Sequence, residues 1–240
     1  MPHEAEEEDD DGDPYSSLPE PSILPVQSML NTFETTNVLA PLVRCSKLPF
    51  RHLCSLYETH VTHTPMMLAE EFSRSQAARV SDFTTSQDER GLFWMEPKRT
   101  GCSSGSIPST ATNGHPEDRE MVTYHKPGSS SRLPPTPHPP TKHSQLVRGA
   151  LTAQFASPNA TSLADAAELI ALYVDGLDLN CGCPQRWAYH EGIGCALLRK
   201  PELVREMVRA VKGRLGWGWP VSIKIRVDPD LQCAAIPSFI

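Results

Sequence analysis

The sequence predicts an α/β protein: the N-terminal half of a TIM (β/α)8 barrel, carrying a disordered acidic tail and a disordered Pro/Ser-rich insertion. Three observations predict it. Short apolar or β-branched runs alternate with stretches of helical periodicity, and regular alternation implies parallel strands joined by crossovers. The residues Pro41 to Arg44, Gln154, Asn180 to Cys183 and Lys224 to Arg226 fall at the ends of those runs, where a barrel gathers its functional groups on one rim. A complete barrel takes ~250 residues by itself, whereas this chain has 240 and spends many on the tail and the insertion.

Residues 1–36 hold an acidic run followed by Pro14, Pro19, Pro21 and Pro25, a composition that resists regular structure. The first part of the barrel, 37–90, opens with the apolar run Asn37 to Arg44, read as a buried strand that Pro41 bends into a loop. Pro49 marks a helix start, and Phe50, Leu53, Leu56 and Tyr57 repeat at helical spacing. Val61 to Met67 reads as a second strand and Leu68 to Ser81 as a second helix. Residues 91–148 form the insertion, where prolines crowd among serine, threonine and glycine, a composition excluded from a packed core.

The barrel resumes over 149–230. Leu151 to Ala156 is a short strand with Gln154 near its end. Ser162 and Asp165 resemble a capping start, and Leu163, Ala166, Ala167, Ile170 and Tyr173 form a helical stripe. Leu177 to Asn180 gives the next strand. Pro201 opens a helix with the apolar face Leu203, Val204, Met207, Val208 and Val211, and Val221 to Arg226 is the last strand before a tail at 231–240.

The net charge of −7 does not by itself suggest a nucleic-acid binder. It comes, however, from Glu4, Glu6, Glu7, Glu8, Asp9, Asp10, Asp11 and Asp13, and the remainder is close to neutral. No apolar stretch approaches the ~20 residues of a membrane helix, and the acidic N-terminus is not a secretory leader. Seven cysteines without a framework spacing fit a reducing compartment, so the chain reads as intracellular, cytoplasmic or nuclear.

Chemistry concentrates in Leu177-Asp178-Leu179-Asn180-Cys181-Gly182-Cys183-Pro184-Gln185-Arg186. The strand runs into Gly-Cys-Pro, which cannot continue it, and so presents a thiol on a bent backbone. Alternation turns Cys181 toward packing and leaves Cys183 for chemistry. A metal module around Cys181 and Cys183 lacks the second pair of ligands that zinc patterns require, and no metal is expected. Pro41, Gln154 and Lys224 each have a plain alternative reading, as strand terminator, loop hydrogen-bonder and rim charge. Together with Cys183 they suit a flavin, which wants a close backbone approach, an amide for its polar edge and a cation for its electron density.

Those residues resemble the tRNA-dihydrouridine synthases, in particular the eukaryotic branch acting at D-loop sites 20a and 20b. The matching stretches are Ala40-Pro41-Leu42-Val43-Arg44, Asp82-Phe83-Thr84-Thr85, Gln154-Phe155-Ala156, Asp178 through Ala188, Glu191-Gly192-Ile193-Gly194, Lys200 to Val204 and Ser222 to Arg226. The resemblance implies reduction of the uridine C5–C6 double bond in tRNA by an FMN enzyme that takes its electrons from NADPH or NADH. It implies Cys183 as proton donor; Pro41, Leu42, Val43, Gln154 and Lys224 as cofactor-binding residues; and Asn180 and Arg226 as substrate-binding residues. The family's later stretches have no counterpart after Asp230, so the chain reads as truncated after the Lys224 strand region. The alternative is a catalytically inactive fragment that binds RNA or a protein partner without turnover.

Overall fold

The computed structural model describes residues 18–98 and 139–226. Its centre is a parallel sheet of β2 (Val61–His63), β6 (Ala150–Ala156), β7 (Gly176–Asn180) and β8 (Val221–Lys224) in that order, with β3 (Met67–Leu68) pairing β6 further along. Every residue of β6 and β7 is buried, as expected of parallel strands covered on both faces. Leu151, Ala153, Phe155, Leu177 and Leu179 pack beneath α5 (Ala160–Ile170) and α7 (Pro201–Leu215), against Leu163, Ala166, Ala167, Ile170, Met207 and Val211. The period-2 alternation of a strand puts Thr152, Gln154, Asp178 and Asn180 on the opposite face. This is the α/β arrangement of part of a barrel, with helices outside and a polar row within.

The structure corrects several sequence expectations. The strand expected over Asn37 to Arg44 shrinks to one bridge from Val38 to Val61, flanked by hydrogen bonds from Leu39 N–H to the Val61 carbonyl and from His60 and Val61 N–H to the Asn37 carbonyl. Pro41 has no N–H to extend a ladder, and Leu42 to Ser46 closes as a turn. The strand expected over Val61 to Met67 breaks at Thr64-Pro65 for the same reason. The helix expected over Leu68 to Ser81 is two, α3 (Ala69–Arg74) and α4 (Gln76–Asp82), parted by an extended Ser75 whose hydroxyl caps the second. In α5 the cap is Asn159, three residues ahead of Ser162, and accepts the Ser162 N–H at 2.9 Å.

Two further corrections concern segments expected to be disordered. Inside 1–36 the chain forms β1 (Ser22–Ile23) and α1 (Val26–Thr32), and inside 91–148 it forms β4 (Leu92–Met95) and β5 (Gln145–Arg148). Strands β1, β5 and β4 make a second small sheet, and Met29 and Phe33 are fully buried against Val61, Phe93, Met95, Val147 and Ala150. Val61 and Ala150 begin β2 and β6, so this cluster closes the end of the parallel sheet opposite the Cys183 loop. Residues 1–17, the middle of the insertion at 99–138 and the tail 231–240 lie outside the described residues.

One contact in this region is sensitive to acid. His60 is buried edge-on against Phe93, with ring centroids 4.8 Å apart, and its Nδ1 accepts the Asn37 N–H at 2.8 Å. Accepting at Nδ1 requires a ring unprotonated there, and burial pushes the pKa down to about 4. The folded state therefore holds neutral His60 while the unfolded chain takes up a proton near pH ~6.5. The stabilisation is complete above that pH and is lost as pH falls toward the folded value. Urea midpoints measured across this range should drop with acidification in the natural chain and much less in His60→Gln; equal slopes would contradict this assignment.

Candidate active site

The polar row on the inner face is one hydrogen-bonded chain. Register pairs Gln154 with Asp178 and Asp178 with Ser222. The Asp178 carboxylate accepts from Gln154 Nε2 at 2.6 Å and from the Ser222 hydroxyl at 2.7 Å. Gln154 Oε1 accepts from Asn180 Nδ2 at 2.9 Å, and Asn180 Oδ1 accepts the backbone N–H groups of Gly182 at 3.1 Å and Cys183 at 2.9 Å. At its other side the Gln154 N–H donates to the Thr64 hydroxyl, which in turn donates to the Pro65 carbonyl where β2 breaks. Buried polar atoms in such a row strengthen one another only when each is satisfied. Here the row fixes the backbone of the thiol-bearing loop.

That loop separates its two cysteines. Cys181 packs in the main core, its N–H donating to the Lys224 carbonyl, and burial with the nearby Asp178 charge pushes its thiol up to about 12. Cys183 is half-buried, free, and packs against the cluster of Ala156, Ala188 and Ile193. Gly194 seats it from behind: its φ is +63°, and a Cβ there would come within 2.7 Å of the Cys183 carbonyl oxygen and 2.8 Å of its Cβ. Only glycine permits this approach. After the loop, α6 (Arg186–His190) leaves Arg186, Trp187 and Tyr189 exposed beside the thiol loop.

Beside this end of the sheet lies a cavity of about 270 Å³ lined by Val38, Ala40, Pro41, His63, Asp178, Ile223 and Lys224. Lys224 is in register with Asn180, so the cavity and the Cys183 loop share one edge of the sheet. The Pro41 segment is held from below. Arg51, fully buried in α2 (Leu48–Ser55), pairs with Glu89 at 2.6 Å and donates to the carbonyls of Ser46 and Thr84, while the Ser46 hydroxyl accepts the Leu42 N–H at 2.8 Å. A buried guanidinium with every partner in place is costly to disturb and makes a rigid base.

The sequence-predicted residues therefore divide. Pro41 and Lys224 line the cavity, and Asn180 and Gln154 hold the Cys183 loop with both ends of their amides engaged inside the chain. Leu42 and Val43 are exposed in the turn after Pro41, and Arg226 is exposed beyond β8; none of the three lines the cavity. Asp178, His63 and Arg51 were given no role from sequence. Asp178 had a signal, a carboxylate between leucines in a short apolar run. His63 and Arg51 had none.

Among the described residues no group of three or more His, Cys, Asp or Glu side chains is placed to hold a metal ion, and no helix is long and apolar enough to cross a membrane.

Known proteins are similar to this chain over most of its length. A family model described as dihydrouridine synthase matches residues 38–95 and 120–238. The matched stretches take in 91–95, 120–148 and 231–238, parts of the segments expected as an insertion and a tail. A human protein named tRNA-dihydrouridine(20a/20b) synthase [NAD(P)+]-like is 34% identical over 205 residues, 85% of this chain and 46% of its own length. Its mouse counterpart is 35% identical over 204 residues, 85% and 45% of the two chains. A Schizosaccharomyces pombe tRNA-dihydrouridine(20a/20b) synthase [NAD(P)+] is 33% identical over 196 residues, 82% and 42% of the two chains. The chain thus spans about half the length of the curated relatives it matches.

The split between the cysteines sets an expectation for thiol chemistry. In the native chain near pH 8, iodoacetamide followed by peptide mapping should label Cys183 roughly a hundredfold or more faster than Cys181, since burial denies Cys181 both access and thiolate. Comparable rates would contradict the placement of Cys181 in the core.

Proposed function

This chain belongs to the dihydrouridine synthase family, and from that premise we propose that it reduces the C5–C6 double bond of uridine in the tRNA D-loop, at the 20a/20b sites, with FMN as its flavin and NADPH or NADH as the source of electrons. The observation that supports this most directly is the convergence of a half-buried thiol, an ammonium and an open backbone edge on one end of the sheet. With a tRNA substrate the protein would work inside the cell, in the cytoplasm or nucleus.

The cavity fits an isoalloxazine ring in kind. Its walls are mainly apolar, from Val38, Ala40, Pro41 and Ile223, with a few polar groups to orient a flat heterocycle. Lys224 would hold the ring's electron-rich side, and the backbone at Pro41, which leaves its sheet partner after Leu39, would lie along its edge. Leu42 and Val43 belong to the same turn. Gln154 and Asn180 act one step back: their amides are committed to Asp178, to each other and to the loop, so they position Cys183 and the cavity wall. Arg226, exposed beside the same edge, suits a phosphate of the RNA.

When bound and reduced at the expense of NADPH or NADH, the flavin would supply the hydride that saturates uracil C6. Adding hydride there leaves an electron pair at C5, and Cys183 Sγ–H would give its proton to that carbon, completing a two-electron reduction. The uracil must leave the stacked RNA to reach this depth, and the exposed Trp187 and Tyr189 beside Arg186 offer stacking and charge next to the loop.

The 240-residue chain, incubated with FMN and desalted, should retain a flavin absorption spectrum. Cys183→Ala should retain it equally while dihydrouridine formation on tRNA falls by roughly 10²–10⁴-fold, the range for removing a general acid. A colourless natural chain would favour the fragment reading. Full activity in Cys183→Ala would remove the cysteine from the chemistry.

A further inference from the structure

The cavity holds one polar group that the proposed chemistry leaves unused, the imidazole of His63. His63 ends β2 in register with Thr152, and alternation sets it on the same inner face as Gln154. Its Nδ1 lies 2.9 Å from the Leu39 carbonyl oxygen. A carbonyl only accepts, so Nδ1 carries the hydrogen and Nε2 of the neutral ring is a bare acceptor. Among the described residues no hydrogen bond reaches Nε2.

The groups facing the ring are the Leu39 carbonyl, Asp178 from β7 and Lys224 from β8. Asp178 spends one oxygen on Gln154 and the other on Ser222, and Lys224 can only donate. Nε2 is therefore the acceptor open to a ligand, across the cavity from an ammonium donor. That pairing complements a carbonyl next to an N–H, the imide edge of a planar heterocycle. Building on the FMN reading above, we propose that His63 Nε2 accepts the imide N–H of the flavin ring and so sets the specificity of this site for an unsubstituted imide. Burial pushes the ring pKa down, the Asp178 charge and the Leu39 carbonyl oppose this, and Lys224 adds to it, which keeps the accepting neutral form in place at pH 7.

The test compares FMN with its N3-methyl analogue by flavin fluorescence titration. The natural chain should bind FMN roughly tenfold more tightly than the methylated ring, the scale of one lost hydrogen bond that leaves a buried group unpaired. His63→Gln, which can place Oε1 near the Nε2 position, should keep the preference, and His63→Phe should bind both flavins alike. The natural chain's affinity for FMN should also fall at acidic pH, once His63 takes up a proton below the ordinary histidine range because burial lowers its pKa, and that of His63→Gln should not. A preference that survives in His63→Phe overturns the proposal and leaves FMN binding standing, whereas a natural chain that takes up neither flavin overturns both. Nitrogen-15 NMR of the flavin-free chain gives an independent arm: His63 should carry its proton on Nδ1 and His60 on Nε2, and an Nε2–H tautomer at His63 overturns the proposal whatever the flavin does.

Discussion

The hydrogen bonds of the Asp178 carboxylate are the interaction on which this end of the molecule depends. A carboxylate within a buried strand is tolerable only if its oxygens are occupied, and here Ser222 takes one and Gln154 the other. Gln154 is thereby fixed in one orientation, which leaves its carbonyl to Asn180 and fixes that amide in turn. The final link is a pair of backbone N–H groups in the Cys183 loop. A single row of side chains on parallel strands thus converts sheet register into the placement of a thiol. A one-residue slip in β7 would exchange the row for leucines and lose every link.

Much of the fold was legible because parallel strands and their helices follow simple periodicities. The runs at Ala150–Ala156, Gly176–Asn180 and Val221–Lys224 and the apolar face of Pro201–Leu215 could be read from spacing alone. The errors share a cause: short elements whose existence depends on tertiary partners. Met29 lies in a helix of seven residues within a proline-bearing segment and Phe33 follows its last residue, and only the cluster the two fill with Phe93, Val147 and Ala150 makes that helix form. Likewise Leu92–Met95 has no reason to be a strand until Gln145–Arg148 lies antiparallel to it across residues remote in sequence.

The site was legible in its residue types and less so in their tasks. Cys183 announced itself by the Gly-Cys-Pro bend, and the structure sets it apart from its buried neighbour Cys181. Gln154 and Asn180 look from sequence like ligand-facing amides, because nothing in a linear pattern reveals that their partners are Asp178, each other and a backbone turn. Arg51 shows the same limit in the opposite sense: it sits in an ordinary helical stretch, yet it anchors the carbonyls of Ser46 and Thr84 and so holds the turn that follows Pro41. The two features lie at opposite ends of the sheet: the Met29–Phe33 cluster where the strands begin, the thiol loop where they end.

The central claim is that the buried row from Asp178 to Asn180 sets the backbone of the thiol loop. Amide hydrogen exchange at Gly182 and Cys183, compared between the natural chain and Gln154→Leu, tests it most directly. Leucine fills a similar volume but strands the Asn180 amide and one oxygen of Asp178. The account predicts that both loop amides lose at least about tenfold of their protection, the scale of one hydrogen bond, while the amides of Leu177 and Leu179 in the ladder keep theirs. Unchanged protection at Gly182 and Cys183 would show that the loop is held by something other than this row.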